Sequence, residues 1–228
     1  GKKAWVMMAF TPPHSEVGDI LYGTLAVARS LQRLSRYPVV LLTNTTFMPD
    51  GTDLAKALLE LDVHVRPVYP VQLSEGHLMN ERWKYAFWKL QIWTLTEFDQ
   101  LVWLDADTMV YRSMDWLFER EWMWAQKDDW FCTGGQEVCS GLMSLFPSME
   151  DYHGMIGYSK VIAGHLFDGD QQLIREYFEH VKHKPINVLE TSEAVFGQCL
   201  GRAQSLLLEE KPGIWDLPAF VHKSGGWG

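Results

Sequence analysis

Short apolar runs alternate with amphipathic stretches along the first half of the chain, and this alternation constrains the fold more than any other feature. Trp5-Val6-Met7-Met8-Ala9-Phe10 reads as a buried strand, closed by Thr11-Pro12-Pro13. From Val17 to Leu34, the residues Ile20, Leu21, Leu25, Val27, Ala28, Leu31 and Leu34 fall near one face at a period of 3.6, which predicts a helix. A second strand is expected over Pro38–Thr43. A second helix is expected over Asp53–Leu61, with Asp53 or Thr52 as its cap, and a third strand over Val63–Val68. Trp83–Leu95 predicts a third helix, and Gln100-Leu101-Val102-Trp103-Leu104 a fourth strand. Strand and helix in this order and spacing call for parallel strands joined by right-handed crossovers. The expected class is therefore α/β, with a mostly parallel central sheet flanked by helices. The second half is less regular: Gly141–Phe146 reads as a strand and Gly169–His180 as a loop entering a helix. No repeat, low-complexity tract or linker divides the chain, so a single domain over 1–228 is expected.

Charge narrows the partners. The 228 residues carry 20 basic and 29 acidic side chains, a net charge of −9. That balance argues against a nucleic-acid partner, which calls for a basic face. An acidic chain that binds an anion needs a local source of positive charge, and a metal ion is one. The three cysteines, Cys132, Cys139 and Cys199, are odd in number and fit no zinc spacing. They read as free thiols, with a Cys132–Cys139 bridge left open, and they hint at a reducing compartment. No run is long and apolar enough for a membrane span, and no signal-peptide pattern is present. Gly1-Lys2-Lys3 and Gly225-Gly226-Trp227-Gly228 read as boundaries within a longer protein, which leaves room for an anchor or another domain. The compartment is accordingly unassigned: cytoplasm, or Golgi lumen if an anchor once preceded the chain.

The segment with the most chemistry is Leu101-Val102-Trp103-Leu104-Asp105-Ala106-Asp107-Thr108. A buried strand delivers two carboxylates at its C-terminal end, where ligands bind in open parallel sheets. Asp105 and Asp107 would repel one another unless a cation sits with them, and Mg²⁺ or Mn²⁺ favours such oxygen ligands. The plainer alternative is a solvated turn with two acids, capping a helix near Met114. A phosphatase of the haloacid-dehalogenase type also places Asp-x-Asp after a strand, its first Asp being the nucleophile. That type usually carries Thr or Val two residues after the second Asp, where this chain has Met109, and its motif usually sits on the first strand rather than the fourth.

The stretch from Trp88 to Val110, Trp88-Lys89-Leu90-Gln91-Ile92-Trp93 through Asp105-Ala106-Asp107-Thr108-Met109-Val110, resembles glycogenin and its relatives, glycosyltransferase family 8. Asp115-Trp116-Leu117-Phe118 resembles the family's continuation. Cys139-Ser140-Gly141 followed by Phe146-Pro147-Ser148 resembles its Asn-Ser-Gly strand beside the donor sugar. Phe167-Asp168-Gly169-Asp170-Gln171 resembles its Asp-Gln motif before a helix, and Val221-His222-Lys223-Ser224-Gly225 its C-terminal His-x-x-Gly segment. The resemblance implies a GT-A-type nucleotide-sugar-binding fold and a retaining transferase. Its donor would be a nucleotide-sugar, usually UDP-linked, with Mn²⁺ (or Mg²⁺) as cofactor. The acceptor, whether glycan, protein or lipid, is not readable, and a homodimer is left open. Residues 1–107 would form the nucleotide-binding half and 108–228 the donor-sugar and acceptor half.

Roles follow residue by residue. Asp105, Asp107 and His222 are implied as metal ligands, and Asp170 and Gln171 as the catalytic pair at the sugar. Thr11, Lys89, Leu104, Ala106, Ser140, Gly141, Asp168 and Gly225 are implied as donor contacts. Bland readings stand beside these. Lys89 read alone is a solvated helix lysine, Asp170 a helix cap, and His222 a histidine without a motif. The tryptophans are more often core than sugar platforms. The chain also departs from the family. Gly228 stands where a phosphate-binding Lys is usual, Cys139 replaces an Asn, and the Asn-x-x-Tyr pattern is missing after the first strand, where Thr11 is the best remaining contact. A non-catalytic nucleotide-sugar-binding protein on the same fold is the alternative to an enzyme.

Overall fold

The computed structural model describes residues 1–11, 18, 20–71, 73, 85–128, 137–162, 169–190, 193–196 and 219–222. Its strands are β1 (Lys3–Met8), β2 (Val39–Thr43), β3 (Val63–Pro67), β4 (Gln100–Leu104), β5 (Thr108–Val110), β6 (Trp124–Asp128), β7 (Glu137–Leu145), β8 (Asn187–Val188), β9 (Ala194–Phe196) and β10 (Phe220–His222). Seven of them form one sheet in the order β3-β2-β1-β4-β7-β6-β8. Only β7 runs against its neighbours, so the sheet is mostly parallel, as expected. It joins residues from before and after position 107. A second, three-stranded sheet has the order β5-β10-β9.

Side-chain alternation along the strands builds two cores. Ala4, Val6, Leu101 and Trp103 point to one face, against Phe87, Trp88, Leu90 and Trp93, together with Met155, Leu173 and Ile174. Trp5, Met7, Val102 and Leu104 point to the other, against Leu21, Val27, Ala28 and Leu31. Period 2 in the strands therefore gives a three-layer arrangement, with an apolar core on each side of the sheet. The chain leaves β1 toward β2 and β3, then crosses back to place β4 on the opposite side of β1. This reversal makes a topological switch point at the C-terminal ends of β1 and β4, the place where open α/β sheets bind ligands.

The helices are α1 (Ile20–Leu34), α2 (Leu54–Ala57), α3 (Met149–Val161) and α4 (Gly169–Glu176). Helix α1 matches the periodicity, although Val17 lies outside the described residues. Helix α2 is one turn rather than the nine residues expected. Asp53 does cap it, its Oδ1 accepting from the Lys56 N–H at 3.2 Å. Residues Ala86–Thr94 form a 3₁₀ helix where an α-helix was expected. Every residue from Phe87 to Trp93 is buried there, so packing on all sides rather than one apolar stripe fixes the segment. Within it Gln91 Nε2 and Thr94 Oγ1 donate to the Trp88 and Gln91 carbonyls at 2.8 and 2.7 Å. A second 3₁₀ turn, Asp115–Glu119, follows β5, and α4 passes into a π-helical turn at Tyr177–Val181. The strand read at Gly141–Phe146 is the end of the longer β7. Helix α3 had no counterpart in the sequence reading. Its Ser148 cap, Oγ accepting from the Asp151 N–H at 3.2 Å, is nevertheless spelled out as Ser-x-x-Asp. Cys139 is buried and free; Cys132 and Cys199 lie outside the described residues. No helix among the described residues is long and apolar enough to cross a membrane.

Candidate functional site

Strand β4 is buried along its whole length and ends at Asp105. Asp105 continues the alternation of Trp103, so it points to the face covered by the 3₁₀ helix 86–94. The Trp103 indole N–H donates to Asp105 Oδ1 at 2.7 Å, fixing the carboxylate from behind. Asp107 follows on a tight turn that the Thr108 hydroxyl closes by donating to the Asp105 carbonyl at 2.7 Å. Strand β5 then pairs antiparallel with β10, and the register sets His222 opposite Thr108. A residue more than a hundred positions away is thereby brought to the two acids. His222 Nε2 lies 3.4 Å from Asp107 Oδ1 and 3.9 Å from Asp105 Oδ2. One ligand atom from each of the three lies within 4.8 Å of the others. Two carboxylates and an imidazole so disposed fit a divalent cation of the Mn²⁺ or Mg²⁺ kind, with imidazole favouring Mn²⁺.

Lys89 is not the solvated helix lysine of the bland reading. It is 5% exposed. Its Nζ lies 3.1 Å from Asp105 Oδ1 and 3.0 Å from Asp170 Oδ2, and donates to the Ser140 hydroxyl and carbonyl at 2.9 and 3.2 Å. Ser140 Oγ in turn donates to Asp170 Oδ2 at 2.7 Å. Asp170 sits in the first turn of α4, but its carboxylate is turned to Lys89 and Ser140 rather than serving only as a cap. Burial opposes the charge on Lys89, yet Asp105 and Asp170 outweigh it and hold the ammonium above the ordinary lysine range. Gln171 Nε2 donates to Asp128 Oδ2 at 3.0 Å. Thr11, beyond β1, is tied to the end of β2: its N–H donates to Asn44 Oδ1 at 2.9 Å, and its hydroxyl meets that of Thr45 at 2.8 Å. The Leu104 side chain is in the core. Ala106 is buried, and its carbonyl lies where only a glycine lets α1 approach: a Cβ on Gly23 would sit 2.9 Å from that oxygen. Asp168 and Gly225 lie outside the described residues.

Burial also opposes a charge on His222. The hydrogen bond to Asp107, the Cys139 thiol and the Asp105 carboxylate together overcome it, and the His222 pKa is pushed up to about 10. Burial tends to raise Asp107, but its bond to His222 wins and its carboxyl sits below the usual range. Gly141 makes room for the imidazole. A Cβ on Gly141 would come within 2.3 Å of His222 Cε1 and 2.5 Å of Nδ1. Gly141→Ala should therefore push the ring away from the carboxylates. The expected result is at least about a tenfold loss of Mn²⁺ affinity by calorimetry, in the range seen when ligand support is removed. An unchanged affinity would mean that His222 is not a ligand.

Two participants had no motif. Gln126 and Asp128 stand two apart on β6, a strand the sequence reading left irregular, and both turn toward the site. Both are buried, and nothing in the local sequence announces it.

No protein-family model matches this chain. Curated relatives do. Glycogenin-1 of Caenorhabditis elegans is 27% identical over 186 residues, which covers 80% of this chain and 41% of that protein. Galactinol synthase 6 of Arabidopsis thaliana is 23% identical over 205 residues, covering 74% of this chain and 59% of the relative. Both relatives are members of glycosyltransferase family 8, the glycogenin-like family, and this chain is similar to them in sequence over about three quarters of its length. Its fold agrees with that of the solved glycosyltransferase GlyE of Streptococcus pneumoniae TIGR4, at a TM-score of 0.64 and 15% identity, covering 100% of this chain and 57% of that one. The fold is thus of the GT-A type. The chain spans between about two fifths and three fifths of the length of these two family 8 relatives.

Proposed function

We propose that this chain is a retaining hexosyltransferase of family 8 that moves a sugar from a nucleotide-sugar, in the first instance UDP-linked, to an acceptor. The observation that carries the reading is the meeting of Asp105, Asp107 and His222 at the C-terminal end of β4, beside the Lys89–Asp170–Ser140 cluster. Asp105, Asp107 and His222 would hold Mn²⁺ or Mg²⁺, which as a Lewis acid stabilises negative charge on a departing diphosphate. In this reading residues 1–107 take the nucleotide, with Thr11 at its edge, and 108–228 take the sugar and acceptor. Lys89 keeps Asp105 and Asp170 in place and adds fixed positive charge where negative charge develops. Ser140 and Gly141 line the sugar side, Leu104 and Ala106 offer backbone groups, and Asp168 and Gly225 complete the set by resemblance. Asp170 hydrogen-bonds sugar hydroxyls. Gln171 lies near the anomeric carbon, on the face opposite the leaving group. An amide is a poor nucleophile beside a carboxylate. Attack therefore comes from the face the diphosphate leaves, with a phosphate oxygen helping to take the acceptor proton. The acceptor is a glycan, a protein or a lipid.

The test is release of UDP from a panel of UDP-sugars with Mn²⁺ present. Wild type is expected to turn over at least one donor, and Asp107→Ala to lose that turnover. Equal donor hydrolysis by both proteins would end the assignment. Cleavage of phosphomonoesters without UDP would replace it with a phosphatase.

A further inference from the structure

His222 approaches the acids through Nε2, so its usefulness as a ligand depends on what its other nitrogen does. Nδ1 lies 3.1 Å from Gln126 Oε1 and 3.7 Å from Cys139 Sγ. An amide oxygen only accepts, so Nδ1 must carry the proton in that contact. The Nε2 lone pair is then left for a cation between Asp105 and Asp107. A thiol at 3.7 Å is a weak and distant acceptor by comparison. Gln126 is 0% exposed, and its Nε2 has no hydrogen-bond partner among the described residues. Only the oxygen half of the amide is used, at a position where an apolar side chain would bury without cost. The register between β6 and β7 shifts between Ala125 and Gln126, from Ala125 opposite Met143 to Gln126 opposite Cys139. This irregularity brings Gln126 beside the segment that carries Cys139 and Gly141, under the imidazole. We infer that Gln126 is a positioning residue that holds His222 in the Nδ1–H tautomer and so prepares Nε2 for the metal. The inference rests on the metal-site reading above, and it concerns how the site is kept ready rather than which residues form it.

The test titrates Mn²⁺ alone into the purified chain, following the free ion by electron paramagnetic resonance. Gln126→Leu removes the acceptor at similar volume, whereas Gln126→Glu keeps an acceptor at the same place. Mn²⁺ affinity is expected to fall about 10–100-fold in Gln126→Leu, the usual effect of losing a ligand's outer partner. It should stay within a few-fold of wild type in Gln126→Glu. Equal affinity of wild type and Gln126→Leu overturns the inference while leaving the metal site intact, and equal loss in both variants reduces Gln126 to a packing role and overturns it too. Failure of wild type to bind Mn²⁺ overturns the metal site, and this inference with it. A readout on wild type does not depend on how the variants fold. Nitrogen-15 histidine spectra of Cd²⁺-loaded protein, with His222→Gln for assignment, should show a His222 Nδ1 that keeps its proton and an Nε2 that has none. The opposite tautomer rules the role out.

Discussion

Lys89→Met is expected to destabilise the metal-free chain by about 3–5 kcal/mol, the usual cost of removing one partner from a buried ion cluster. Methionine keeps most of the aliphatic stem but takes the cation from between Asp105 and Asp170, which lie 3.1 and 3.0 Å from Nζ. The Asp170 side chain is 7% exposed and carries most of the loss; that of Asp105 is 27% exposed, so water relieves part of its share. The Ser140 hydroxyl still donates to Asp170 and the Trp103 indole to Asp105, but neither brings a full charge. Urea unfolding at pH 7 with chelator present measures the difference. Folding holds Lys89 above its ordinary value, so its contribution is fully present below about pH 10.4 and is lost only above that. Wild-type stability should therefore not respond to this group between pH 5 and 9. Added Mn²⁺ should recover the part of the loss that belongs to Asp105. A loss below about 1 kcal/mol, the level of an exposed pair, would mean that the cluster is not the electrostatic keystone described above.

Much of this arrangement was legible in the sequence because it is written locally. The buried strands β1, β2 and β4 declare themselves as short apolar runs, and the Asp105-Ala106-Asp107 turn follows one of them directly. The cap at Asp53 was also readable. Other features failed to show because their causes are not local. The segment Ala86–Thr94 has helix-like spacing, yet burial on every side let it tighten to 3₁₀ geometry. Helix α3 has little separation of apolar and polar faces, so only its Ser148 cap announced it. Lys89 is typical of a solvated helix surface until the pairing of β4 with β7 brings Ser140 to it. Gln126 and Asp128 lie on a polar strand between two others, and nothing in Trp124-Ala125-Gln126-Lys127-Asp128 tells which side chains turn inward. His222 could be placed from its resemblance to a family motif. The physical reason it reaches the acids is the pairing of β5 with β10, a contact between distant segments that no local pattern encodes.

Mn²⁺ affinity should rise about tenfold per pH unit through neutrality, because in the metal-free protein the proton on His222 Nε2 is held by Asp107 and must leave before the nitrogen can bind an ion. With the His222 pKa pushed up to about 10, the gain between pH 6 and 8 is about a hundredfold. A histidine at its ordinary value of about 6.5 would give only about fourfold over the same range, since most of it is already neutral at pH 7. Competition titrations at the two pH values separate these outcomes. Stability of the metal-free protein should move the other way. A group raised on folding contributes stability that is fully present below its unfolded value, near 6.5, and is lost as pH rises through its folded value, near 10. Between those limits the loss is about 1.4 kcal/mol per pH unit, with Asp107 charged throughout. Chelated protein should thus unfold at lower urea at pH 8.5 than at pH 7, and saturating Mn²⁺ should remove nearly all of that difference, because the metal-bound imidazole and the unfolded one are then both neutral. His222→Gln should flatten both dependences at once. If the affinity gain is only about fourfold while the metal-free stability still falls with pH, His222 holds its proton against Asp107 but is not the third ligand. If neither quantity moves, the ion pair between His222 and Asp107 does not exist in solution.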